Sequence, residues 1–106
     1  MKVSVAQFRP SGDIFENIDT MGNLVADAVN QGAELVVFPE ESMFALNRIT
    51  GPLSEVVDEY WSTFVKEISL LAANAKVAIV AGGDESSGEA RPYNTLVVVD
   101  DTGAVL

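Results

Sequence analysis

Two adjacent carboxylates, Glu40 and Glu41, stand directly after Pro39 at the end of an unbroken apolar run, Leu35-Val36-Val37-Phe38. A run without polar alternation reads as a strand buried on both faces, as parallel strands are in α/β proteins. Proline stops it, so the two glutamates fall at the carboxyl edge of a sheet, where ligands and catalytic groups of open α/β sheets gather. A carboxylate at that edge is placed to act as a general base. Position alone leaves a plainer alternative open, since charged residues at a strand end are more often solvated loop residues.

Composition narrows what such a base could serve. The chain has no histidine and no cysteine, which removes the Ser-His-Asp arrangement, a thiolate nucleophile, disulfides and the usual zinc ligands from these residues. Neither a metal nor a cofactor is expected. The formal charge of −10 arises from 16 acidic against 6 basic residues, and Lys2, Lys66, Lys76, Arg9, Arg48 and Arg91 form no cluster. Such a surface repels phosphate backbones, which argues against a nucleic-acid partner. The amino terminus enters a strand-like run without the apolar core of a signal peptide, and no apolar segment reaches the length of a membrane span. The expectation is a cytoplasmic protein without a membrane partner.

The elements that must position Glu40 follow from periodicity. Val3 to Phe8 reads as a first strand, ended by Pro10-Ser11-Gly12. Apolar residues then recur at Ile14, Ile18, Met21, Val25, Ala28 and Val29, a helical stripe entered through Asp13 and Glu16 in capping-box relation, with Gly32 as its stop. After the strand at Leu35 and an irregular segment comes a second helix, entered at Ser54, with acidic residues in its first turns and a buried stripe of Val57, Tyr60, Phe64, Ile68, Leu71 and Ala75. Val77 to Ala81 reads as a third strand ended by Gly82-Gly83, Thr95 to Val99 as a fourth, and Asp100 to Gly103 as a turn into a further strand at Ala104.

The order is β-α-β-α-β-β, an α/β arrangement with a mainly parallel sheet. Right-handed crossovers progressing in one direction place both helices on one face, so the other face of the sheet is left apolar and uncovered. Something must cover it, whether another domain, another chain or further sequence, and for this chain alone self-association into a homo-oligomer is the expectation.

These residues resemble the amino-terminal part of the carbon-nitrogen hydrolase (nitrilase and amidase) superfamily. The resemblance is carried by Val3-Ser4-Val5-Ala6-Gln7, Asn17, the run Gly32-Ala33-Glu34-Leu35-Val36-Val37-Phe38-Pro39-Glu40, Ile79-Val80-Ala81-Gly82, Tyr93-Asn94-Thr95 and Asp100-Asp101-Thr102-Gly103. It implies that residues 1–106 are a single incomplete domain, part of an αββα sandwich. It further implies hydrolysis of a small-molecule amide or nitrile by a Glu, Lys, Cys triad, without a cofactor. Glu40, directly after the proline, matches the family's general base, and Glu41 does not. A carboxylate partly withdrawn from water has a raised pKa and can accept a thiol proton. The family's lysine and cysteine match no residue of this chain, since the lysine would lie on the strand beginning at Ala104, beyond Leu106. The Gly-Tyr that often follows the Pro-Glu motif is also absent, with Ala45-Leu46 in the corresponding segment.

Three further residues are candidates near the site. Met43 and Phe44 are candidates for lining a substrate pocket, although large apolar residues after a strand more often cap the core. Asn94 is expected to make strand-end hydrogen bonds that shape the site. Two functional classes follow: the amino-terminal portion of a thiol amidase or nitrilase that contributes only the base, or a non-catalytic acidic α/β interaction module.

Overall fold

The computed structural model describes residues 1–106. Strand β1 (Val3–Val5), helix α1 (Ile14–Asn30), strand β2 (Leu35–Val37), helix α2 (Leu53–Ala75), strand β3 (Ala78–Glu85) and strand β4 (Tyr93–Val99) follow one another, with a short 3-10 turn at Leu46–Arg48. The four strands lie in the order β1-β2-β3-β4, the first three parallel and β4 antiparallel to β3. This is the expected α/β order. The final strand is reduced to one antiparallel bridge between Val105 and Val99.

Register decides which side chains share a face. Val36, Ile79 and Val99 align across β2, β3 and β4, with Ala81 opposite Val97 two positions on. All five are buried, in one core with Met21, Val25 and Ala28 of α1 and Val57, Phe64, Ile68 and Ala72 of α2. Both helices therefore cover the same face. The opposite face carries Val5, Val37, Val80 and Val98 in one row, and Leu96 opposite Gly82 in the next. No element lies over it: Val5 is 76% exposed and Leu96 62%.

Local chemistry explains the element ends, several of which differ from expectation: β1 stops at Val5, where its partner β2 ends at Val37, and not at Phe8, while β4 begins at Tyr93, paired with Glu85, and not at Thr95. Asp13 caps α1 by accepting hydrogen bonds from the backbone N–H groups of Phe15 and Glu16, and Gly32, at φ +86°, turns the chain out of the helix. Helix α2 begins one residue before Ser54, after Pro52, whose side chain offers no acceptor for the free N–H groups of the first turn. The Pro52 carbonyl accepts from Val56, and no side chain caps this end. Gly82 and Gly83 do not end β3, which continues through both to Glu85 because β4 pairs alongside it over that whole length. Beyond β4, Asp100 accepts from Thr102 N–H, Thr102 Oγ1 and Ala104 N–H, and these bonds hold its carboxyl below the usual range.

Candidate functional site at the sheet edge

The segment from Pro39 to Ala45 leaves β2 and crosses over β3 on the uncovered face. Gly82 makes the crossing possible, because a Cβ there would stand 2.5 Å from Glu40 Cα and would run into the Glu40 carbonyl. Without that side chain the two backbones join directly. Gly82 N–H donates to the Pro39 carbonyl and Ser42 N–H to the Gly82 carbonyl, each at 3.2 Å. The buried Ser42 hydroxyl donates to the Pro39 carbonyl at 2.6 Å and closes the turn.

A buried amide pins the far end of this strap. Asn17 of α1 donates through Nδ2 to the carbonyls of Met43 and Ser11, both at 3.0 Å, and accepts from Ser11 N–H at 2.8 Å. Ala45 N–H also donates to the Ser11 carbonyl. Met43 and Phe44 are fully buried in the core, and neither lines the basin beside Glu40. Their burial anchors the strap on the helical side of the sheet, leaving Glu40 on the other.

The two adjacent glutamates are used differently. Glu41 Oε1 accepts from Leu46 N–H at 3.3 Å, capping the 3-10 turn. Glu40 makes no backbone contact of that kind. Its Oε1 accepts from Asn94 Nδ2 at 2.5 Å, across 54 residues of sequence. Asn94 is placed by the β3–β4 register opposite Asp84, and on the other face Thr95 Oγ1 donates to Glu85 Oε1 at 2.9 Å where the paired strands run out.

Glu40, Glu41, Leu46, Asp84 and Asn94 line an open basin of about 360 Å³. Three carboxylates share it without a cation. Partial burial raises the Asp84 pKa, and the charges of Glu41 and Glu40 raise it further. Glu40 itself is exposed, so these residues do not supply the withdrawal from water that the sequence led us to expect for it. The reason is geometric: the basin opens on the uncovered face. No group of His, Cys, Asp and Glu side chains in the chain is arranged to hold a metal ion.

The sequence reading placed Glu40 and Asn94 together at this edge. It missed Asp84, the strap contact of Gly82 and the buried role of Asn17. Extending the third strand beyond the glycines would have revealed Asp84, since Val80, Gly82 and Asp84 then share a face by alternation.

Fold and site together define an α/β protein with a carboxylate strap over the carboxyl edge of a parallel sheet. Its sequence matches the family model for carbon-nitrogen hydrolases over residues 2–106, and the chain belongs to that family. Hydrolase Rv0480c of Mycobacterium tuberculosis is 34% identical over 97 residues, an overlap that takes in 92% of this chain and 34% of that protein. Among solved structures, an amidase from Nesterenkonia sp. superimposes with a TM-score of 0.86 at 23% identity, over 100% of this chain and 40% of the amidase. A carbon-nitrogen hydrolase from Helicobacter pylori G27 gives 0.85 at 22% identity, over 99% of this chain and 37% of that one. This chain thus spans about a third of the length of its curated relative and about two-fifths of the solved ones.

Proposed function

We propose that this chain supplies the general base of a thiol-dependent carbon-nitrogen hydrolase acting on a small amide or nitrile, and that Glu40 is that base. The observation that carries this reading is the division of labour between the paired glutamates. Both line the basin, but Glu41 is engaged by Leu46 N–H within its own loop, whereas Glu40 is bound only by the Asn94 side chain from the neighbouring strand pair. A base must keep one oxygen free for the incoming proton, and Glu40 does.

In the proposed reaction a cysteine thiol gives its proton to Glu40 as its sulfur forms a bond to the amide or nitrile carbon. A lysine ammonium stabilises the charge that develops on the substrate heteroatom. Neither partner comes from these residues. The chain has no cysteine. Lys2 donates to the Gln31 carbonyl, Lys66 lies within α2, and Lys76 caps its end, so no lysine approaches the basin. The amidase from Nesterenkonia sp., solved with acrylamide added at its active site cysteine, supports the assignment of a thiol mechanism.

The uncovered sheet face fits the same proposal. Glu40 and the exposed apolar rows lie on one side, so whatever covers those rows also closes over the basin and withdraws Glu40 from water. Incubation with a panel of short amides and nitriles, followed by ammonia release, tests the reading. Release is expected from a longer form that carries the lysine and cysteine, and none from this chain. Silence of the longer form across the panel would favour the acidic interaction module, and release by this chain that Glu40→Gln abolishes would refute the need for a triad.

A further inference from the structure

We propose that Asn94 is a positioning residue for the base, holding Glu40 Oε1 so that Oε2 is the oxygen that takes the proton. The proposal rests on the reading of Glu40 as base, and it starts from a contact that no local constraint demands. Asn94 sits on an edge strand and Glu40 on a strap that leaves another strand, yet the two side chains meet at 2.5 Å. Two features bring them there. Gly82 lets the strap lie directly on β3, and the β3–β4 register places Asn94 beside that crossing, opposite Asp84.

The chemistry of the pair is one-directional. An ionised carboxylate only accepts, so the asparagine amide must face it with nitrogen and turn its oxygen away. An exposed glutamate otherwise moves freely about its side-chain torsions, and a base that must meet one proton in one geometry loses rate to that freedom. Asn94 removes the freedom without supplying a charge. A cation in its place would hold the carboxylate as firmly but would also favour its ionised form and oppose proton uptake. Asp84, across the strand pair, carries the same charge as Glu40 and offers it no competing hydrogen-bond donor while ionised.

The bond itself can be read in this chain without any activity. In an ¹⁵N-labelled sample the Asn94 side-chain amide signals should move to those of a solvated amide in Glu40→Ala and stay in place in Glu41→Ala. Both replaced residues are exposed, so folding is not at stake. Signals that ignore both substitutions, or respond equally to both, would overturn the contact. In a longer form carrying the lysine and cysteine, Asn94→Leu should lower kcat by roughly 10- to 100-fold with KM little changed. In a Glu40→Gln background the same substitution should cost nothing further, because Asn94 acts only through Glu40. An equal fold-loss in both backgrounds would show Asn94 to be merely structural and would refute the proposal. Full activity of Glu40→Gln would sink the base assignment, and the amide signals would still decide the contact.

Discussion

Replacing Gly82 with alanine should destabilise the chain by about 2–4 kcal/mol, a large share of the roughly 5–15 kcal/mol that holds a domain folded. The added Cβ would stand 2.5 Å from Glu40 Cα, whereas carbon atoms settle about 3.5–4 Å apart, so the strap must retreat by about 1 Å or more. The obstructing atoms are backbone, and no rotamer change relieves them. Retreat breaks the two bonds between Gly82 and the strap, from Gly82 N–H to Pro39 and from Ser42 N–H to Gly82, each worth about 0.5–1.5 kcal/mol. Overpacking adds about 1–3 kcal/mol, and the usual gain of about 0.5–1 kcal/mol for alanine over glycine in a strand offsets part of it. Peeling the strap away is no escape, because its own Met43 and Phe44 side chains are fully buried and would be exposed. Urea unfolding followed by circular dichroism is the assay, with Gly22→Ala as control. A methyl on Gly22, in mid-helix, meets only Leu71 Cδ1 at 3.8 Å, and that variant should gain up to about 1 kcal/mol. A Gly82→Ala midpoint at or above that of the parent, with unchanged slope, would refute the account of the strap.

Two further outcomes follow from the same geometry. Asp84 has a raised pKa in the folded chain, so its contribution to stability is present below the unfolded carboxylate value and is lost as pH rises through the folded one. Asp84→Asn should therefore be more stable than the parent at pH 7 and lose that advantage on acidification. A pH-independent difference would exclude burial and the neighbouring glutamates as its cause. The chain should also self-associate through the face bearing Val5 and Leu96, more strongly when added salt screens its charge of −10. A monomer boundary in sedimentation at both low and high salt, without binding of an apolar-surface dye, would show that this face does not drive association.

Much of this arrangement was legible in the residues because local and global signals agree. The apolar run at Leu35 reads as a strand, the Asp13 cap and Gly32 bracket α1, and the crossover rule places both helices on one face. The structure bears out each of these, but not burial of that strand on both faces: Val36 is buried against the helices, whereas Leu35 and Val37 are half-buried because nothing in this chain covers their side. The errors cluster where tertiary contacts override local punctuation. Gly82-Gly83 looks like a strand end, but its role is close approach: the strap crosses on one side and the Phe64 and Trp61 rings press against Gly83 on the other. Ser54 has the chemistry of a helix cap, yet the cap position falls two residues earlier, at Pro52. Asn17 gave no sign of its role, since only the folded chain brings Ser11 and Met43 to one side chain. The neighbouring glutamates could be told apart in sequence only by resemblance. The structure adds the physical difference, a backbone N–H bound to one and a side-chain amide bound to the other.

The central claim is that Glu40, and not its neighbour, is the base. Its most direct test compares Glu40→Gln with Glu41→Gln in a form of the protein that carries the lysine and cysteine, measured as kcat/KM on one amide. Loss of a general base is worth roughly 10²–10⁴-fold, far above the few-fold effect expected from loosening the cap on the 3-10 turn. The account predicts a loss of that size for Glu40→Gln and nearly full activity for Glu41→Gln. Equal losses from the two substitutions, or a larger loss from Glu41→Gln, would contradict it.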